Sequence, residues 1–195
     1  KIYPKILLVC GGEHISACPE FCMKDCPEID ICIFGEGEET SIDLLKNIEQ
    51  KKSLANIKGI VFKSAEKIIR NPNRSRIAKL NNISWPAWDL FPLEEVYFKN
   101  SKMLYSEEGM KATRRLDINA SLGCSLICKF CYHLGITGDM RYEKDSSGKV
   151  INVSFDEPGK INRTIRYNSP EYIVNLAKHL YDKYNINFMY FLEYY

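Results

Sequence analysis

Cys124, Cys128 and Cys131 lie within eight residues, in the stretch NASLGCSLICKFCYH at 119–133. Their C-x3-C-x2-C spacing, with Phe130 just before the third thiol, constrains the chain more than any other feature. Three thiolates so close together can hold three corners of a four-iron cube and leave the fourth iron open. Ferredoxin-type runs supply four cysteines, so that protein holds every iron. An open iron points to chemistry at the cluster rather than electron storage. Zinc is the other occupant that the residues allow, because His133 completes a C-x3-C-x2-C-x-H set.

The segments before and after this array read as α/β. Residues 5–10 (KILLVC) and 30–34 (DICIF) are continuous apolar runs, as expected of parallel strands covered on both faces. Gly11-Gly12 follows the first run and Gly35-Glu36-Gly37 the second. Glycines there let backbone approach a ligand at the carboxyl edge of an open sheet. The second turn leads into an amphipathic helix expected over 41–52, with Ile42, Leu44, Leu45 and Ile48 as its apolar positions. Glutamates crowd that turn, so a nucleoside or another hydroxyl- and amide-bearing ligand suits it better than phosphate.

Residues 57–63 and 67–70 suggest a hairpin, and 71–79 a polar, basic linker. LNNISWPAWDLFPLEEVY (80–97) holds both tryptophans. Pro86 and Pro92 exclude a long helix, so it reads as a packed aromatic connector or a cofactor-facing wall. A short strand at 115–120 then delivers the three cysteines to a loop at its carboxyl end. Residues 135–163 read as a polar surface insertion with a hairpin near 149–155. Ser169-Pro170-Glu171 starts a helix with Ile173, Leu176, Ala177, Leu180 and Tyr184 inward, and residues 187–192 form the next strand, before Glu193. Strand, helix, strand implies a parallel sheet or barrel.

Composition narrows the function classes. Lys plus Arg is 27 against 25 for Asp plus Glu, a balance that argues against a general nucleic-acid binder. No apolar run reaches the roughly 18 residues of a membrane span. Eight cysteines in a chain that is 45% hydrophobic fit reduced, metal-binding thiols in the cytosol better than a disulfide scaffold. Cys18, Cys22 and Cys26 form a second array, C-x3-C-x3-C, that reads as apolar filler or a further metal site. Lys1 opens the chain without Met, and Tyr195 closes it inside an apolar run. A piece of a longer enzyme is therefore expected.

In that order, GGEHISACPE, FGEGEET, WPAWDLFPLEEVYF, SLGCSLICKFCYH and the SPE helix start resemble the cobalamin-binding radical S-adenosylmethionine (SAM) superfamily. The resemblance covers essentially the whole chain. It implies an α/β fold: a partial Rossmann-like cobalamin-binding domain followed by the first strands and helix of a partial (β/α)6 radical SAM barrel. The corresponding boundaries are 1–70 for the cobalamin part, 71–112 for a linker and 113–195 for the barrel part. It further implies a [4Fe-4S] cluster on Cys124, Cys128 and Cys131, with SAM on the fourth iron. Phe130 would lie near the adenine and Glu193 near the SAM amine. Cobalamin would meet Gly11, Gly12, Gly35, Glu36 and Gly37. The activity implied is reductive cleavage of SAM to a 5′-deoxyadenosyl radical, then methyl transfer or related chemistry on a small-molecule substrate. A flavodoxin or ferredoxin would serve as reductant. Two departures stand out. Glu13 replaces a usual proline, and the segment that would carry a D-x-H-x-x-G cobalt-ligating histidine is absent; His14 does not match that motif.

Overall fold

The computed structural model describes residues 3, 5–65, 67–99, 111–124, 140–147, 149–155 and 165–192. They divide into two compact units. One takes residues up to Ile77 and the 140–155 hairpin; the other takes residues 78–124 and 165–192.

In the first unit a four-stranded sheet runs β1-β2-β3-β4: Val9–Cys10, Ile31–Ile33, Ile60–Ser64 and Lys67–Arg70. β1 and β2 are parallel, and the other pairings are antiparallel. Strand alternation splits the apolar residues between two layers. Ile31, Ile33, Ile60 and Phe62 pack with Leu44 of helix α3, Glu38–Glu49. Cys32, Phe34 and Val61 pack with Cys22 and Met23 of α2, Pro19–Asp25. A sheet sealed on both faces needs apolar residues at every position, which is why DICIF shows no alternation. A third helix, α1 (Glu13–Ala17), precedes α2.

Two expectations change here. Strand pairing within 5–10 shrinks to Val9 and Cys10, and Ile6, Leu7, Leu8 and Val9 stay 40–59% exposed. Among the described residues β1 pairs with β2 alone. At Leu8 the backbone instead donates to the Asp30 carboxylate at 2.7 Å. Helix α3 starts at Glu38 rather than Ser41, because acids in a first turn complement the helix dipole. Thr40 and Leu44 face inward while Ile42 and Leu45 stay exposed.

The expected linker over 71–112 is shared between the units. Asn71 is buried and donates to the Leu54 and Ile57 carbonyls, both at 2.7 Å. Arg74 reaches back to α3, bonding the Thr40 hydroxyl at 2.8 Å and the Asp43 carboxylate. Gly59 lets this corner close. Its φ is +80°, and a Cβ there would sit 3.0 Å from Thr40 Oγ1 and 3.3 Å from the Phe34 carbonyl.

In the second unit β5 (Arg115–Ile118) pairs in parallel with β10 (Phe188–Phe191), in register Arg115 to Phe188 through Ile118 to Phe191. Helix α4 (Pro170–Tyr184) leads into β10. β6 (Ser121–Leu122) pairs antiparallel with β9 (Arg166–Tyr167). The core joins Leu176 and Leu180 of α4 to Leu116, Ile118, Ile186, Trp88 and Leu93. The aromatic stretch thus packs inside this unit, as short turns at Leu80–Asn82, Trp88–Leu90 and Leu93–Phe98. Arg114 fixes it with a two-pronged pair to Glu94, at 2.8 and 2.5 Å, and holds that carboxyl below its ordinary range.

Ser169 caps α4, its hydroxyl accepting from the Tyr172 N–H at 3.2 Å. Ser169→Ala is expected to lower stability by about 1 kcal/mol. Urea unfolding followed by tryptophan emission reads this, since both tryptophans lie in this unit. An unmoved midpoint would mean that the cap contributes nothing. The hairpin of β7 (Met140–Lys144) and β8 (Val150–Phe155) is longer than expected. Its turn is closed by the Asp145 carboxylate, which accepts from Ser147 and Lys149 N–H groups.

Candidate functional site

In the second unit β5 and β10 end side by side. The Leu192 N–H donates to the Ile118 carbonyl at 3.0 Å, extending the pairing by one bond. The chain leaves β5 through Asn119 and Ala120, forms β6, and reaches Cys124 directly after Gly123, whose φ is +118°. Cys124 is half-buried there. A left-handed turn between a strand and a thiol aims the following residues away from the strand direction, a conformation that glycine supplies at little cost. Cys128, Phe130, Cys131, His133 and Glu193 lie outside the described residues. What can be placed is the frame: two parallel strands share an edge, the first followed by the cysteine stretch and the second by Glu193. A pocket in this unit is lined by Trp88, Phe91, Tyr97, Arg115 and Asp117. The aromatic segment is thus both packed into the core of this unit and part of the lining of a cavity.

In the first unit the glycine turns follow parallel neighbours β1 and β2. Gly12 has φ +99° with nothing within 4 Å of a built Cβ, so the backbone there is open. At Gly11 a Cβ would sit 3.6 Å from the Ile33 carbonyl oxygen, ordinary contact distance. The Gly35 N–H donates to Ser16 Oγ at 3.0 Å. Glu36 accepts from the Ile77 N–H at 2.8 Å, and Gly37 stands at the N-terminus of α3. The acid expected to face a ligand thus has an internal partner more than forty residues away in sequence.

The C-x3-C-x3-C array leaves His14 out, but the structure brings His14 together with Cys18 and Cys22. Donor atoms of His14, Cys18 and Cys22 all lie within 4.8 Å of one another, and the Cys18 and Cys22 sulfurs are 3.8 Å apart. Burial, then the Cys18 thiol beside it, pushes the Cys22 thiol up to about 11. Burial lifts Cys32 to about 12, and its thiol faces the Pro19 carbonyl. The usable signal was the even spacing of 14, 18 and 22, which stacks three side chains on one stripe of successive helical turns.

No family model matches the chain. An uncharacterized methyltransferase of Pyrococcus horikoshii is 30% identical over 131 residues, 67% of this chain and 26% of that protein. The anaerobic magnesium-protoporphyrin IX monomethyl ester cyclase of Cereibacter sphaeroides is 26% identical, over 84% of this chain and 27% of that protein. The chain thus spans about a quarter of the length of these relatives. TsrM from Kitasatospora setae is a radical SAM methyltransferase solved with cobalamin and a [4Fe-4S] cluster. It aligns over 97% of this chain and 31% of its own, at TM-score 0.54 and 16% identity. OxsB, a cobalamin-dependent SAM radical enzyme solved with aqua-cobalamin and SAM, aligns over 96% of this chain and 21% of its own, at TM-score 0.55 and 18% identity. The chain carries the fold of the cobalamin-binding radical SAM superfamily. The expected fold class therefore holds, as a mixed α/β chain with parallel strand pairing in each unit.

Proposed function

We propose that this chain is part of a radical SAM enzyme in which Cys124, Cys128 and Cys131 hold a [4Fe-4S] cluster and Glu193 meets the SAM amine. Phe130 would border the adenine. The observation that carries the reading is the position of Cys124, half-buried behind a left-handed glycine and following a strand in parallel register with the one that precedes Glu193. The donor set fits. Three thiolates suit iron–sulfur ligation, and a set of three leaves one iron for a second ligand. When bound, the cluster supplies the electron that cleaves the sulfonium of SAM to a 5′-deoxyadenosyl radical.

The chain's own residues position and shield. The β5–β10 pairing holds side by side the two strands that precede the cysteine stretch and the acid. Trp88, Phe91 and Tyr97 give that pocket an aromatic lining, which suits an organic ligand. Cobalamin fits at the open backbone of Gly11-Gly12 and the Gly35–Gly37 turn, with Gly12 the position that has room for a ligand. Gly35 and Glu36 would act by holding that turn through Ser16 and Ile77. Methyl transfer to a small molecule is the favoured outcome, since the names of the Pyrococcus relative and TsrM are those of methyltransferases. A small electron-transfer protein of the flavodoxin or ferredoxin kind would supply the electron.

The test uses the whole protein, reconstituted with iron and sulfide without oxygen and reduced in the presence of SAM. Release of 5′-deoxyadenosine and methionine is expected. Cluster-loaded protein that releases neither would overturn the reading. Zinc held by Cys124, Cys128 and Cys131, with no brown colour, would favour a non-catalytic metal module instead.

A further inference from the structure

We infer that His14, Cys18 and Cys22 form a second metal site, one that takes a thiophilic divalent cation of the zinc class. It lies in the first unit and shares no residue with the three-cysteine stretch. Zinc holds thiolate sulfur at about 2.3 Å and imidazole nitrogen at about 2.0–2.1 Å in a tetrahedron. Those lengths put two bound sulfurs about 3.8 Å apart and a sulfur and nitrogen about 3.6 Å apart. The Cys18 and Cys22 sulfurs already stand 3.8 Å apart, and the His14 ring nitrogen lies within 4.8 Å of both. Closing the set asks the His14 nitrogen to approach the sulfurs by about 1.2 Å at most.

The backbone explains why the three converge. The Cys18 N–H bonds the His14 carbonyl at 3.2 Å and the Cys22 N–H bonds the Cys18 carbonyl at 3.0 Å, so each donor sits one helical turn above the last. Cys18 itself, at φ −149° and ψ 57°, is the break between α1 and α2. Helices of five and seven residues are far below the roughly 12–15 at which an isolated helix becomes even marginal. A cation bridging them would clamp both helices, and with them the Gly11-Gly12 turn that opens α1.

Charge balance selects the ligands. Two thiolates and a neutral imidazole around a divalent ion sum to zero, which a half-buried position tolerates. A third thiolate would leave a net negative charge against the apolar cluster of Met23, Phe34 and Val61. Cys26 continues the spacing but turns away, its thiol donating to the Glu28 carboxylate at 3.4 Å. His14 is exposed, so the fourth position opens to solvent.

Cobalt(II) reports this site in the full chain carrying Cys124→Ala, Cys128→Ala and Cys131→Ala, which removes the other thiolate set. One equivalent is expected to give thiolate-to-cobalt charge transfer and tetrahedral bands that zinc displaces. Cys18→Ser should lower affinity at least about tenfold, and Cys26→Ser should leave it unchanged. In the unsubstituted chain, zinc should protect Cys18 from alkylation, mapped by mass, and leave Cys26 reactive. No charge-transfer band in the folded triad-free chain would overturn the site. So would an unchanged band in Cys18→Ser, loss of binding in Cys26→Ser, or equal alkylation of Cys18 with and without zinc.

Discussion

Cys124→Ala is expected to abolish the iron–sulfur chromophore on anaerobic reconstitution while leaving urea stability nearly unchanged. Cys124 is half-buried and follows Gly123 beyond the end of β6, outside the core that joins α4 to β5. Truncating a thiol there removes little packing. The cost stays well under the roughly 2–5 kcal/mol of a core leucine-to-alanine change. Removing one of three thiolates leaves a second iron without a protein ligand, and two cysteines are too few to anchor the cube. Iron and sulfide counts on the refolded variant, beside its urea midpoint, separate the two effects. A brown, iron-loaded Cys124→Ala chain would contradict the assignment of the triad. Loss of colour together with a large stability loss would assign Cys124 to the fold instead.

Much of the architecture was legible because local pattern and burial coincide where a strand is sealed on both sides. Residues 31–33 have helices on each face of their sheet, and the sequence shows an unbroken apolar run. The Ser169-Pro170-Glu171 start was legible because capping is local chemistry, settled within three residues. Pattern failed where the deciding partner is far away in sequence. Residues 5–10 read as a buried strand, yet what covers a strand is set by its neighbours rather than its own hydrophobicity. Residues 71–77 read as linker because they are polar. Asn71 and Arg74 are polar in order to satisfy carbonyls and carboxylates 14–35 residues away, which no local window contains.

The candidate sites divide in the same way. Cysteine spacing is a one-dimensional signal, so both arrays were visible, and the family resemblance gave the first its chemistry. The inclusion of His14 in the second array is not readily legible in the sequence, because just after Gly11-Gly12 it reads as a structural or ligand-edge residue. Pro19 does not interrupt the succession from 14 to 22, since proline at the first position of a helix lacks an N–H that the helix start leaves unused. The role of Glu36 was hidden for another reason. A glutamate beside two glycines looks ligand-facing, but its carboxylate closes the turn onto the Ile77 N–H.

Leu180→Ala is expected to lower stability by about 2–5 kcal/mol, the largest loss from any single truncation considered in the second unit. Leu180 is fully buried and packs in the cluster of Trp88, Leu93, Leu116, Ile118, Leu176 and Ile186. Its neighbours come from the aromatic stretch, from β5 and from the turn before β10, so no single segment can shift to refill the space. The rigid rings of Trp85 and Tyr172, edge to face at 6.1 Å, further resist collapse. Tryptophan emission is the readout, because both indoles contact this core. Leu45→Ala, on the exposed side of α3, is the control and should stay within about 0.5 kcal/mol. A Leu180→Ala chain as stable as the parent would mean that the α4 face does not hold this unit together. The consequence for the site follows from geometry. α4 presses on β5, and β5 sets where the cysteine stretch begins. The variant should therefore still assemble its cluster when folded, and lose it at lower denaturant in step with the tryptophan transition.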